Sequence, residues 1–101
     1  MIYCFDIDGT ICTYTDGDYA KAIPIGYRIE HINQLIAQGM TVIFHTARGA
    51  KTGINWAEFT QKQLTAWGIL NPIIIFGKPL ADLYIDDRGI SDQGYSWGNT
   101  N

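Results

Sequence analysis

The sequence lacks most features that would place it outside the ordinary globular proteins. It has only two cysteines, Cys4 and Cys12, which are too few for a disulfide framework. Its two cysteines and two histidines also lack the spacing of a zinc site. No apolar run reaches the length of a membrane span, and no basic and then apolar signal segment opens the chain. We therefore expect a protein of the cytoplasm with no membrane partner.

Basic residues are also scarce, because seven lysines and arginines stand against ten acids and the net charge is −3. This balance argues against broad nucleic-acid binding, which depends on clustered basic side chains. With 101 residues, of which 47% are hydrophobic, the chain is long enough for a core of its own. We predict a single domain over residues 1–101.

Two carboxylates, one residue apart, follow the first apolar run, residues 1–5. A continuous run of this kind predicts a strand buried on both faces, with Cys4 as a small buried residue. Side chains at positions i and i+2 of a strand point to the same side, so Asp6 and Asp8 should start close together. Gly9 then allows the backbone to turn. Two anions this close need a cation or a proton, which a simple turn does not explain.

The rest of the chain alternates between helix and strand patterns. Further strands are predicted at residues 40–46, 73–76 and 83–85. One helix follows Pro24 and carries His31 at its surface or boundary, and a second runs from a cap at Asn55 to about Trp67. Strands that alternate with helices predict an α/β domain with a parallel sheet.

Two segments outside this alternation are less regular. An Asp-Gly pair between Thr- and Tyr-rich flanks predicts a flap over about residues 11–21, with Tyr14 and Tyr19 packed on it or overhanging a site. The tail, residues 91–101, is polar, with a short strand at 95–97 as its one candidate element.

Polar residues stand out at the ends of the predicted strands. They are Asp6 and Asp8, Thr46, Lys78, and Asp86 with Asp87. In open parallel sheets, ligands bind beyond the carboxyl ends of the strands. Clustered carboxylates favour a hard cation such as Mg²⁺, and a lysine with a threonine hydroxyl suits a phosphoryl group. Asp6 and Asp8 are candidates for the nucleophile and the general acid/base. Their spacing does not determine which residue has which role.

The same residues resemble the motifs of the haloacid dehalogenase (HAD) superfamily of phosphohydrolases. Its four motifs are similar, in the family's order, to Asp6-Ile7-Asp8-Gly9-Thr10, Thr46, Lys78 and Asp86-Asp87. The resemblance covers residues 6–87. It implies a three-layer HAD-like (Rossmannoid) α/β fold with a central parallel sheet, and it makes residues 11–21 the family's flap.

The resemblance also implies a role for each motif residue. Asp6 would be the nucleophile that forms an aspartyl-phosphate, and Asp8 would be the general acid/base. Thr46 would hydrogen-bond the phosphoryl group, and Lys78 would neutralise it and orient Asp6. The Mg²⁺ ligands would be Asp6, Asp8 through its backbone carbonyl, Asp86 and Asp87. The candidate substrate contacts are the neighbouring Gly9, Thr10, Ala47 and Arg48, and Arg48 is equally a candidate for a surface ion pair.

The spacing of the motifs leaves no room for a cap domain, so the site is expected to be open. Capless members of the superfamily act on large substrates or use a neighbouring subunit as a lid, which makes a homo-oligomer one expectation. The compact layout resembles small phosphatases linked to capsular polysaccharide biosynthesis. That likeness implies a sugar phosphate or similar metabolite as the small phosphorylated substrate.

Other interpretations compete with this one. The Asp86-Asp87-Arg88 sequence also resembles the phosphatase domain of polynucleotide kinases, although the acidic net charge disfavours a nucleic-acid substrate. A non-catalytic protein of the same fold that binds phosphate and Mg²⁺ is a further alternative. A phosphoacceptor receiver domain is disfavoured by the order of its residues. Its acceptor aspartate would lie on a later, central strand and be followed by the threonine and then the lysine, whereas the later aspartates here come after Lys78. The family usually adds a helix and a strand after its fourth motif, so here the sheet edge is reduced or a partner completes it.

Overall fold

The computed structural model describes residues 1–98 and shows a three-stranded parallel sheet with two helices. The strands are β1 (Ile2–Phe5), β2 (Thr41–Thr46) and β3 (Ile73–Phe76). The helices are α1 (Gly26–Ala37) and α2 (Ala57–Ala66), and a single 3₁₀ turn spans Tyr19–Lys21. The sheet order is β1-β2-β3, and each helix connects two neighbouring strands. The prediction of an α/β fold with a parallel sheet is confirmed.

The core lies on one face of this sheet. In β2, Val42, Phe44 and Thr46 are buried and alternate with residues that are partly exposed. Phe44 is paired in register with Phe5 of β1 and Ile74 of β3, so the same face continues across all three strands. Both helices pack their apolar residues into this core, through Ile29, Ile32 and Leu35 of α1 and Leu64 of α2.

The opposite face of the sheet is open in residues 1–98. Cys4, Ile43 and Ile73 are in register across it, and of these Cys4 and Ile73 are exposed while Ile43 is partly exposed. The prediction that the first strand is buried on both faces, and with it a buried Cys4, is therefore wrong. A continuous apolar run indicates two covered faces, but the described residues supply helices for only one. The described part has two layers rather than the three that the resemblance implied.

The predicted fourth strand at residues 83–85 does not form. These residues lie in an exposed irregular segment, in which Leu83 is 77% and Ile85 95% exposed. Three apolar residues make a weak strand signal, because a strand gains stability only by pairing and by burial. The segment predicted as the flap, residues 11–21, forms no strands. Isolated bridges join Cys12 to Asp8 and to Pro24, and the 3₁₀ turn Tyr19–Lys21 ends the segment.

The end of the described chain packs on α1 without forming a strand. Trp97 is buried, and its ring centroid lies 5.5 Å from that of Phe5 in β1. His31 is buried rather than at the surface, and its Nε2 lies 2.8 Å from the Tyr95 hydroxyl. Arg28 adds an ion pair of 2.7 Å with Asp92. Aromatic contacts therefore anchor the part of the predicted polar tail that is described, and residues 99–101 lie outside the described residues.

The helix ends follow local signals. The N-cap position of α2 is Trp56 rather than the predicted Asn55. Asn55 Oδ1 still accepts a hydrogen bond of 2.9 Å from the backbone N–H of Ala57, the first residue of the helix. α1 begins at Gly26, two residues after Pro24, as the sequence predicted. Neither helix of the described part has the length and hydropathy needed to cross a membrane.

Two matched substitutions test this account of the chain end. Trp97→Ala removes a buried ring and should lower the free energy of unfolding by about 3–5 kcal/mol. Leu83→Ala changes an exposed side chain and should alter it by less than about 0.5 kcal/mol. Urea denaturation followed by circular dichroism measures both. Equal losses for the two variants would contradict the packing described here.

Candidate active site

A tight turn at the end of β1 carries the two carboxylates. The backbone N–H groups of Thr10 and Ile11 both donate to the Ile7 carbonyl at 3.0 Å, and Gly9 has φ = 82°. This left-handed conformation favours glycine, as the sequence predicted for the turn. Ile7 and Ile11 are fully buried and fasten the turn to the core. The flanking polar side chains are therefore held at the carboxyl end of the sheet.

Asp6 is the accessible carboxylate of the pair. Its side chain is 35% exposed, and its Oδ1 lies 3.5 Å from the Lys78 ammonium. The Thr10 hydroxyl donates a long hydrogen bond of 3.4 Å to the other oxygen, Oδ2. The Lys78 backbone N–H donates to the Thr46 carbonyl at 3.2 Å, so the lysine is anchored to the end of β2. Asp6 and Lys78 form a partly solvated pair of opposite charges.

Aromatic contact further defines the position of Lys78. Its ammonium lies 4.4 Å from the centre of the Tyr84 ring, a cation–π distance. The Tyr84 hydroxyl donates to the Pro79 carbonyl and accepts a hydrogen bond of 3.1 Å from the Ala81 N–H. Lys78 is thus placed between a carboxylate and a ring whose own position is set by hydrogen bonds.

Thr46 ends the central strand and is 1% exposed. Its hydroxyl accepts a hydrogen bond of 3.1 Å from the Arg48 N–H. A hydroxyl has one donor of its own, so the Thr46 O–H can still donate to a ligand.

Asp8 is held by a buried arginine. Arg48 Nε and Nη2 donate to Oδ2 and Oδ1 of Asp8 at 2.8 and 2.9 Å, which is a bidentate pair. Arg48 Nη1 donates to Gln63 Oε1 at 2.8 Å and to Thr60 Oγ1 at 3.2 Å. The ring of Tyr19 lies 4.4 Å from the guanidinium carbon. Arg48 is therefore a buried ion-pair residue, which the sequence analysis had placed at the surface or against substrate.

A buried thiol lies beside the same carboxylate. Cys12 is fully buried, and its Sγ lies 3.7 Å from Asp8 Oδ1. Burial, aided by the negative charge of Asp8, raises the pKa of Cys12 to about 12. The thiol is therefore protonated at neutral pH and is a poor nucleophile.

One cleft of about 880 Å³ joins most of the predicted site residues. Those that line it are Asp6, Asp8, Thr46, Ala47, Arg48 and Lys78. Gly9 and Thr10 are not part of its lining. Tyr14 and Tyr19 line it together with Tyr84, which the sequence analysis did not associate with the site. Tyr84 is the middle residue of the strand predicted at residues 83–85, and that prediction gave no indication of a contact with Lys78.

Asp86 and Asp87 are not brought to this cleft. Both are exposed, and Asp86 Oδ1 accepts a hydrogen bond of 2.9 Å from the Arg88 N–H, which lowers the pKa of Asp86. Within residues 1–98, no three His, Cys, Asp or Glu side chains are grouped closely enough to hold a metal ion. The magnesium site with four aspartates stays a prediction.

Comparison with known proteins adds information on the fold. No protein-family model matches the chain, and no curated protein matches it. A crystal structure of an MCSG target from Vibrio cholerae is similar to it, with a TM-score of 0.80 and 24% sequence identity. The match covers 100% of this chain and 90% of that one. At this identity the likeness shows a shared fold alone.

Thiol labelling tests the burial of the turn that carries the carboxylates. Iodoacetamide should modify the exposed Cys4 of the native protein and leave the buried, protonated Cys12 unmodified. The variant Cys4→Ser should therefore stay unlabelled until the protein is unfolded in urea. Mass spectrometry measures the extent of labelling. Rapid native labelling of Cys12 would show that the turn is open.

Proposed function

We propose that the protein is a phosphomonoester hydrolase of the HAD type that acts through an aspartyl-phosphate at Asp6. The observation that carries the proposal is the pairing of an accessible carboxylate with a lysine in a cleft at the carboxyl end of the sheet. Thr46, a hydroxyl donor, lines the same cleft. A nucleophile, a cation and a hydroxyl around one space are the groups that phosphoryl transfer requires.

The proposed reaction has two steps. In the first, a carboxylate oxygen of Asp6 attacks phosphorus and the ester oxygen leaves with a proton from Asp8. Asp8 must enter this step protonated, and so with one of its two hydrogen bonds to Arg48 released. In the second, water attacks the phosphorus of the aspartyl-phosphate, its proton passes to Asp8, and the Asp6 carboxylate is released with inorganic phosphate. Asp8 thus returns to its starting protonation state.

Lys78 and Thr46 would stabilise the charge of the transferring group. The ammonium beside Asp6 reduces the repulsion between an anionic nucleophile and an anionic phosphoryl group. The Thr46 hydroxyl would donate to a phosphoryl oxygen. The Thr46 hydroxyl is held by the Arg48 N–H, and the Lys78 ammonium by Asp6 and the Tyr84 ring, so little reorganisation is needed when substrate binds.

Mg²⁺ belongs to the proposal, and the cleft is compatible with it in part. Mg²⁺ keeps several waters and binds through one or two carboxylates together with substrate phosphate. The Asp6 carboxylate would be its ligand from the cleft, with the backbone carbonyl of Asp8 implied by the family resemblance. When bound, the ion would neutralise phosphoryl charge. Asp86 and Asp87 do not line the cleft, so their part as ligands stays a prediction.

The lining of the cleft favours a small phosphorylated metabolite, such as a sugar phosphate, over a polynucleotide. The tyrosines Tyr14, Tyr19 and Tyr84 offer aromatic surface and hydroxyls to a ring-shaped substrate. Asp16 and Asp82 are also part of the lining, and their charges would repel a polyanionic strand. A role in polysaccharide biosynthesis and a second subunit over the open cleft are parts of the same proposal.

Replacement of the nucleophile tests the proposed function. Asp6→Asn keeps the size of the side chain but cannot form an acyl phosphate, so phosphate release should fall at least about 10³-fold. The control Asp18→Asn changes an exposed carboxylate that pairs with Lys21 and should keep wild-type turnover. The assay follows inorganic phosphate from sugar phosphates and a 3′-phosphorylated oligonucleotide, with Mg²⁺ or EDTA.

Three outcomes of this assay would count against the proposal. Wild-type turnover in Asp6→Asn would remove the covalent mechanism. Phosphate release that EDTA does not affect would show that the reaction does not depend on Mg²⁺. A preference for the oligonucleotide would replace the sugar phosphate with the second substrate class.

A further inference from the structure

We propose that Arg48 is a positioning residue that orients Asp8 and links it to the end of the flap, and that it does not contact substrate. The proposal rests on the proposed function, because the part played by Asp8 is taken from it. Its basis is a chain of hydrogen bonds that runs from the flap through α2 to the carboxylate.

The hydrogen-bond donors of Arg48 are almost all used within the protein. A guanidinium has five N–H donors, and the Arg48 guanidinium donates four hydrogen bonds, to Asp8, Thr60 and Gln63. The Arg48 side chain is 0% exposed, in contrast to the 20% of Lys78. Arg48 therefore lines the cleft with its guanidinium buried and its charge paired, and Lys78 is the accessible cation next to Asp6.

The bidentate pair restricts how Asp8 can turn. Two nearly parallel N–H···O bonds hold the plane of a carboxylate, whereas a single bond leaves it free to rotate. A lysine could keep the positive charge but could not supply this fork. The identity of Arg48 as an arginine therefore matters for orientation in addition to charge.

Gln63 connects this pair to the flap. Its Oε1 accepts from Arg48, while its Nε2 donates to the Tyr19 carbonyl at 2.7 Å. The Tyr19 ring covers the guanidinium and meets the Trp56 ring edge-on at 4.9 Å between centroids. One amide of α2 thus supports both the acid/base residue and the 3₁₀ turn Tyr19–Lys21 that ends the flap. A displacement of Asp8 or of this turn should therefore displace the other.

Three variants test this inference, with Lys62→Met on the exposed side of α2 as the control. Arg48→Lys should lower kcat by about 10²-fold, since a displacement of about 1 Å is enough for such a loss, and should leave KM within about twofold. Gln63→Leu should lower kcat by about 10-fold or more. Arg48→Ala should recover part of its activity when guanidinium is added at millimolar concentration. Thermal unfolding of each variant checks that it is folded.

A second readout does not depend on activity. Gln63→Leu removes the support of the Tyr19 carbonyl, so backbone amides of residues 19–22 should exchange hydrogen faster than in the wild type and in Lys62→Met. Mass spectrometry of the flap peptide measures this exchange. Unchanged exchange would overturn the link between Gln63 and the flap, even if the wild-type protein released no phosphate and the proposed function failed.

Kinetic results can overturn the inference separately. A raised KM with an unchanged kcat in Arg48→Lys would make Arg48 a substrate contact. Wild-type kinetics in a folded Arg48→Lys would show that the ion pair has no part in positioning Asp8. In either case the phosphatase itself, established with the wild type and Asp6→Asn, would stand.

Discussion

The buried guanidinium of Arg48 is the constraint on which the arrangement of the site depends. A charge removed from water must be paired and hydrogen-bonded, and here both oxygens of Asp8 and two side chains of α2 meet that need. Because Asp8 follows β1, Arg48 follows β2 and Gln63 belongs to α2, this one group ties three elements together at the same edge of the sheet. Removing either partner would leave an unpaired charge in the interior. The same pair therefore stabilises the fold and fixes the position of Asp8 in the cleft.

A sheet of only three described strands is enough to position the rest of the site. Three parallel strands bring Asp6, Thr46 and Lys78 to one end, and a backbone hydrogen bond from Lys78 to Thr46 keeps the ends of β2 and β3 together. Only one face of this sheet is covered in residues 1–98, so the stability of the described part depends on a single core between the sheet and its two helices. Aromatic contacts of Trp97 and Tyr95 with Phe5 enlarge that core and hold the end of the described chain behind β1.

Much of this could be predicted from sequence, because it is encoded locally. Apolar runs and helical spacing identified β1 to β3 and both helices, Gly9 marked the turn, and the rule for strand ends grouped Asp6, Asp8, Thr46 and Lys78. The failures concern interactions between distant residues. Arg48 looked like a surface residue because nothing near it in sequence shows that Asp8, 40 residues away, would receive it. His31 looked like a surface or boundary residue because its partner Tyr95 lies 64 residues further on. Residues 83–85 have strand-forming side chains but pair with no strand of residues 1–98.

The most direct test of the account is to identify the residue that carries the phosphoryl group. The protein would be mixed with p-nitrophenyl phosphate and Mg²⁺, quenched in acid and reduced with borohydride, which converts an aspartyl-phosphate to homoserine. Peptide mass spectrometry would then locate the change. The account predicts homoserine at position 6, in the wild type but not in Asp6→Asn. Turnover of the substrate with no modification at Asp6, or with modification at another residue, would contradict it.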